Sequence, residues 1–232
     1  MDPLKRRRPV VLLFDVNETL LDLEPLQERI DTVLLENGSS KLWFTTMLQY
    51  SLVLTVSGKY EPLADIGAAT LTMLARNRDV VLSKEEAKEA LMPMLSLAPH
   101  RDVPGGLTRL KEAGFRMATL TNSSIAACKA QMDNARLTEL FERQLSVETV
   151  GKYKPHADVY RWAAEEMSVP VEDCMLVASH AWDIAGAAWA GMQTAFIERA
   201  GNQSFSLALP PDVSASDLHN LMDQLMPGEK ST

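Results

Sequence analysis

The sequence predicts a doubly wound α/β fold: a parallel sheet with helices on both faces and a helical cap inserted after the first strand. Three observations predict it. The apolar run Pro9-Val10-Val11-Leu12-Leu13-Phe14 ends abruptly in Asp15. Residues 20–97 then carry helical spacing of apolar positions with few strand signals. From Leu107 onward short apolar runs alternate with helical segments, the pattern of right-handed βαβ units. Residues 1–19 and 98–232 are therefore assigned to a Rossmann-like core, and 20–97 to the cap.

Each element has its own signal. The run ending at Phe14 has no polar alternation, so it reads as a strand buried on both faces. Within the cap, helices are expected at Glu24–Glu36, Lys41–Val56, Glu61–Ala75 and Lys84–Met92. Ser83-Lys84-Glu85-Glu86 is a capping box for the last of them. Asn37-Gly38-Ser39-Ser40 and Ser57-Gly58-Lys59 break the block into pieces. Ala98–Pro104, with two prolines, reads as an irregular return linker. After it come a helix at Leu107–Ala113 closed by Gly114 and a strand at Phe115–Leu120. A helix at Ser124–Asn134 and a strand at Gln144–Val150 follow. Next are a helix at Ala157–Met167, a strand at Met175–Ala178, a helix at Ile184–Ala190 closed by Gly191, and a strand at Thr194–Ile197. Asp217–Leu225 reads as a terminal helix.

Composition narrows the function. The 232 residues carry 31 acidic and 23 basic side chains, a formal charge of −8, with 46% hydrophobic and 23% charged residues. This is globular composition, and the acidic balance argues against a nucleic-acid partner, which needs a basic face. No apolar stretch approaches the ~20 residues of a membrane span. Lys5-Arg6-Arg7-Arg8 begins like a signal peptide, but the apolar run after it is too short, so residues 1–8 read as a solvated arm. Cys128 and Cys174 lie in apolar stretches, read as buried free thiols, and fit a reducing, cytoplasmic location. No His pair has metal-ligand spacing, and His100, His156 and His219 read as surface or turn residues.

Four segments follow predicted strands: Asp15-Val16-Asn17-Glu18-Thr19, Thr121-Asn122-Ser123, Lys152-Tyr153-Lys154-Pro155 and Ala178-Ser179-His180-Ala181-Trp182-Asp183. Parallel topology can bring these strand ends to one crevice. The set holds two carboxylates, hydroxyls, an amide and an ammonium, a kit for attack by Asp15 on a small anionic substrate. Taken singly, the residues have plainer readings. Asp15, Asn122 and Asp183 could cap helices, and Lys154 could be a turn lysine with Lys152 in its place. Trp43, Phe44, Met47, Tyr50 and Tyr60 could simply pack the cap on the core.

In order and spacing these motifs resemble the haloacid dehalogenase superfamily, from about Val10 to Ala200. The helical insertion, the Trp43…Leu48-Gln49-Tyr50 pattern and Ala181-Trp182-Asp183-x-x-Gly186-Ala187 resemble its type II, (S)-2-haloacid dehalogenase-like branch. The resemblance implies a two-step hydrolase: Asp15 displaces a leaving group from the α-carbon of a small 2-substituted carboxylic acid, and water hydrolyses the Asp15 ester. It implies that Lys154 steadies the Asp15 anion and that Asp183 orients Lys154 or activates the water. Thr19, Thr121 and Ser179 would offer hydroxyls and Asn122 an amide. The backbone of Val16 and Asn17 would bind the substrate carboxylate. Phe44, Tyr50, Tyr160 and His180 would line the site.

Phosphatases of the superfamily carry Asp-x-Asp in the first motif and Gly-Asp-x-x-x-Asp in the fourth. Here Asn17 and Ser179 replace the second and first acids of those patterns. Hard cations want several oxygen ligands, so no metal and no cofactor is expected. Two departures from the dehalogenase pattern matter: the Arg expected after the cap tryptophan is Phe44, and the Asn of Ser-Ser-Asn-Ala-Trp-Asp is His180. Two readings remain: a dehalogenase with a different halide cradle, or a relative opening a strained ring such as azetidine-2-carboxylate, with Glu18 or His180 meeting the leaving nitrogen. A phosphatase and a non-enzymatic binding module are the outer alternatives. The apolar cap helices would suit a homodimer.

Overall fold

The central sheet is built where the buried apolar runs lie. The computed structural model describes residues 7–226; residues 1–6, the greater part of the expected N-terminal arm, lie outside the described residues, as do 227–232. The strands are β1 (Val11–Phe14), β2 (Arg116–Thr121), β3 (Arg143–Ser146), β4 (Cys174–Ala178), β5 (Gln193–Ile197) and β6 (Val213–Ala215). All pair in parallel, in the order β3-β2-β1-β4-β5-β6. Every residue of β1 and β4 is buried, as expected of strands covered on both faces. Burying each Leu or Phe of β1 contributes roughly 2 kcal/mol, so the strand is a rigid base for the loop that begins at Asp15.

Strand order reverses between β1 and β4. Leu13 and Phe14 register with Ala118 and Thr119 on one side and with Leu176 and Val177 on the other. The crevice beyond strand ends at such a reversal is where open α/β sheets bind ligands. Asp15 leaves β1 at this point, its N–H donating to the Val177 carbonyl at 3.0 Å.

Four helices fill the insertion: α1 (Glu24–Val33), α2 (Ser39–Val56), α3 (Leu63–Arg76) and α4 (Lys84–Ala90). The Ser83/Glu86 capping box opens α4 as the sequence predicts. The chain leaves the core and returns to it at one crossing, where the Asp22 N–H donates to the Ala98 carbonyl at 2.9 Å and the His100 N–H to the Leu20 carbonyl at 3.0 Å. A second tie lies further on: Tyr153 stacks on Tyr60 at 5.4 Å and donates its hydroxyl to the Glu61 carbonyl at 2.6 Å. The remaining helices are α5 (Val103–Glu112), α6 (Ile125–Asn134), α7 (Ala157–Glu166), α8 (Ala181–Ala190) and α9 (Leu218–Leu225).

Several expectations need correction. The return linker is shorter than expected, because Pro104 sits in the first turn of α5, where its missing N–H costs nothing. Strand β3 stops at Ser146 rather than Val150: the Ser146 hydroxyl accepts from the Glu148 N–H at 3.1 Å and turns the chain into a short 3₁₀ helix. Strand β6 has three residues, too short for any periodic signal, and the sequence reading omits it. Helix α8 begins at Ala181, three residues before the expected Ile184, so Asp183 lies in its first turn rather than at its cap. Both cysteines are buried and unpaired. Arg7 and Arg8 are docked rather than free: Arg7 pairs with Asp173 at 2.9 Å, and Arg8 donates to the Ala113 carbonyl at 2.8 Å. Among the described residues no helix is long and apolar enough to cross a membrane.

Candidate active site

Asp15 sits at the tip of β1 with its carboxylate held from both sides. Oδ1 accepts from Lys154 Nζ at 2.9 Å, and Oδ2 accepts from the Thr19 hydroxyl at 2.8 Å and faces His180 Nδ1 at 3.2 Å. The Asp15 side chain keeps 7% of its surface open. Burial favours the neutral acid, but the charge of Lys154 and the His180 hydrogen bond outweigh it and hold the carboxyl well below the usual range. Its surroundings therefore favour the Asp15 anion.

Lys154 is fully buried and uses all three N–H donors: on Asp15, on Asp183 Oδ2 at 2.6 Å and on the Leu120 carbonyl at 2.8 Å. Burial alone would discharge the amine, but the two carboxylates raise its pKa above the ordinary lysine value. The loop carrying it is pinned where Asn122 Oδ1 accepts from the Lys154 backbone N–H at 3.1 Å. Asp183 is likewise closed off. Its Oδ2 takes Lys154, its Oδ1 takes the Tyr160 hydroxyl at 2.5 Å, and the side chain is wholly inaccessible. Its pKa is raised, burial being the main cause, with Lys154 opposing.

The ring of His180 completes the site. Nε2 lies 2.7 Å from Glu18 Oε2, while Nδ1 faces Asp15. The Phe44 ring stacks on one side at 5.8 Å between centroids, and Trp182 lies 5.2 Å away. Burial disfavours the imidazolium, but the hydrogen bonds and charges of Asp15 and Glu18 push the pKa up to about 9. The two positions that depart from the dehalogenase pattern thus touch each other, and the carboxylates of Asp15 and Glu18 favour a positive charge on the ring that stacks on Phe44.

Two cavities flank Trp182. Glu18, Phe44 and His180 line one of about 460 Å³, together with the polar Gln27, Lys41 and Asn202. Lys154 and Trp182 line another of about 610 Å³, otherwise bounded mainly by apolar residues of α2. Asp15 is hydrogen-bonded to a wall residue of each.

The predicted residues divide accordingly. Asp15, Thr19, Lys154, Asp183, Ser179 and His180 meet in one network; the Ser179 N–H donates to Thr19 Oγ1 at 2.9 Å, which fixes the hydroxyl that Thr19 turns on Asp15. Asn122 holds the lysine loop, and Thr121 Oγ1 accepts from the Ser123 N–H at 3.1 Å, so both shape the floor. The Asn17 amide points inward, accepting from Gln131 at 2.8 Å and donating to Ser123 at 3.2 Å. The backbone N–H groups of Val16 and Asn17 have no backbone acceptor among the described residues. Tyr160 is fully buried behind Asp183 rather than open to a ligand, because Asp183 captures its hydroxyl. Tyr50 is not brought to the site: it lines a separate cavity within the insertion, between α2 and α3, since α2 turns it away from the core. Trp43 is cap packing, donating to the Gly67 carbonyl at 2.9 Å.

Sequence reasoning missed Gln131, and it quoted Ser123 and Gly186 within motifs without giving either a role. A signal existed for Gln131, a polar side chain among the buried positions of α6. Gly186 stands in the last motif, but its role was not legible there, because its need for a missing side chain comes from Pro155 and Tyr160 on other elements. Among the described residues no three His, Cys, Asp or Glu side chains are grouped to hold a metal ion. The donors also fit one poorly: the Lys154 ammonium bridges the two carboxylates, which disfavours a dication held between them.

Comparison with known proteins gives consistent findings. Residues 10–191 match the family model of a haloacid dehalogenase-like hydrolase. An (S)-2-haloacid dehalogenase 1 of Pseudomonas sp. (strain CBS-3) is 31% identical over 232 residues, covering 97% of this chain and 98% of that one. Haloacetate dehalogenase H-2 of Moraxella sp. (strain B) is 28% identical over 203 residues, covering 87% and 91%. In fold the chain is similar to the L-2-haloacid dehalogenase of Xanthobacter autotrophicus with chloropropionic acid covalently bound. The TM-score is 0.85 at 20% identity, with 96% of this chain and all of that one covered.

Proposed function

The chain belongs to the haloacid dehalogenase-like hydrolases, and from that premise we propose that it hydrolyses small 2-halogenated carboxylic acids through an ester to Asp15, without a metal ion. One observation carries this reading: the Asp15 carboxylate lies 2.9 Å from Lys154 Nζ and 3.2 Å from His180 Nδ1, an environment that favours its anion, while among the described residues the neighbouring acids are engaged elsewhere, Asp183 by Lys154 and Tyr160 and Glu18 by His180 and Gln27. An anionic oxygen so placed is a nucleophile toward carbon, and halide departs without needing a proton.

Lys154 steadies the Asp15 anion, and Asp183, held in turn by Tyr160, positions Lys154. Thr19 fixes the carboxylate plane. The substrate carboxylate is received by the N–H groups of Val16 and Asn17, which can bind an anion as a nest. The same reading includes a homodimer, supported by the exposed apolar residues Leu42, Leu52, Val53 and Val56 along α2.

The test is a single turnover in ¹⁸O water with a panel of (S)-2-haloacids. Halide should be released and the label should enter Asp15. The variant D15N should lose about 10⁴-fold or more in turnover, and chelator should leave the wild-type rate unchanged. Label confined to product, or a rate that needs added Mg²⁺, would contradict the scheme.

A further inference from the structure

Hydrolysis of an Asp15 ester needs a group that takes a proton from water, and the site offers three carboxylates and one imidazole as candidates. Asp15 is itself esterified at that stage. Asp183 has both oxygens occupied, by Lys154 and Tyr160, and no accessible surface. Glu18 spends Oε2 on His180 and Oε1 on Gln27, at 2.7 and 3.4 Å. His180 remains. Its Nδ1 lies 3.2 Å from Asp15 Oδ2, and its ring lines the polar cavity of about 460 Å³ through which water can arrive.

Resting on the dehalogenase reading, we propose that His180, backed by Glu18, is the general base for ester hydrolysis and that formation of the ester itself switches it on. In the resting enzyme both ring nitrogens face carboxylates, Asp15 and Glu18, which together favour the protonated ring. Phe44 and Trp182, the aromatic neighbours, bring no charge; Lys154 stands behind Asp15, and Lys41 lines the same cavity. Attack by Asp15 on C2 forms the C–O bond, and the carbon–halogen pair leaves with halide. Asp15 then carries no charge. One of the two partners that held the imidazolium is gone, while burial still opposes it, so the Nδ1 proton departs with the halide into the polar cavity.

Neutral His180 keeps its Nε2 proton on Glu18 and turns a free Nδ1 lone pair toward the ester. It takes one proton from a water whose oxygen bonds to Asp15 Cγ. The tetrahedral adduct expels the product oxygen, which takes the remaining proton. Asp15 is again anionic and His180 again protonated, so one halide, one proton and one hydroxy acid leave for each water consumed.

Glu18 adds an independent sign. Its φ is +66°, in the left-handed region that favours glycine and costs other residues about 1 kcal/mol or more. The chain keeps a strained residue there, and the carboxylate it gains is the one that bonds His180 Nε2.

The experiment compares wild type, H180Q and E18Q in rapid-quench turnover of (S)-2-chloropropionate, with mass spectrometry of the Asp15 peptide. In H180Q, one chloride per site should appear in a burst, the Asp15 adduct should persist, and steady turnover should fall about 10²–10⁴-fold. E18Q should show the same adduct with a smaller loss. The burst itself reports a folded, alkylation-competent enzyme. H180Q turnover within about threefold of wild type, or a burst lost in step with turnover, overturns the base assignment alone. Wild type that releases no chloride and forms no adduct overturns the dehalogenase reading, and the assignment with it.

Discussion

At the scale of single residues, the site is an alternation of charges that hold one another's protonation states. His180 shows it most directly. Its pKa is raised from 6.5 to about 9, so its contribution to stability is fully present below about pH 6.5 and is lost as pH rises through 9. Asp15 has the opposite sign: its depressed pKa stabilises the fold above its ordinary 3.8 and loses that contribution only in strong acid. Between pH 4 and 6.5 both contributions are present. The thermal midpoint of the wild type should therefore fall between about pH 6.5 and 10, by an amount reflecting up to roughly 3 kcal/mol. H180Q should lack that fall. Parallel melting curves for the two proteins across this range would refute the charged resting ring.

At the scale of elements, the position of Lys154 is set by how α8 packs on the loop after β3. Gly186 lets them meet. A Cβ there would lie 2.3 Å from Pro155 Cβ and 2.8 Å from the Tyr160 hydroxyl. The first residue follows Lys154 in the chain, and the second holds Asp183. G186A should cost about 1–3 kcal/mol by overpacking. It should also lower kcat more than it raises KM, because the lysine and its positioning carboxylate move together. Urea unfolding with steady-state kinetics checks both; a variant as stable and active as wild type would show that the contact relaxes freely. Helix α2 acts at the same scale by bringing Phe44 onto His180 while turning Tyr50 away.

At the scale of the whole molecule, the insertion and the core are joined by the crossing near Leu21 and Pro99 and by the Tyr60–Tyr153 stack. Both cavities beside Trp182 are bounded by α2 on one side and by core loops on the other. At the mouth of the apolar cavity, α2 leaves Val53 at 48% and Val56 at 88% exposed. Exposed apolar side chains there support the proposed homodimer. Sedimentation should give twice the chain mass for the wild type and a lighter species for V53D/V56D. A monomeric wild type would rule out the homodimer.

The sequence by itself determined the α/β class, the helical run after β1 and which charged and polar residues fall beyond the strand ends. Those rest on local facts: an unbroken apolar run has to be buried, and Asp15, Thr19, Lys154 and Asp183 all follow strands at the ends that parallel topology gathers together. Only the tertiary structure decided which polar group faces which. Asp183 and Tyr160 satisfy each other rather than a ligand, Asn17 turns to Gln131, and Glu18 reaches His180 across 162 positions of chain. β6 and the start of α8 escaped for a related reason, since three residues carry no period and the His180 cap leaves no side-chain signature. Burial is written in composition and periodicity, which are properties of neighbours in sequence. Hydrogen-bond partnership between buried side chains depends on ångström distances between remote segments, and these exist only once the chain has folded.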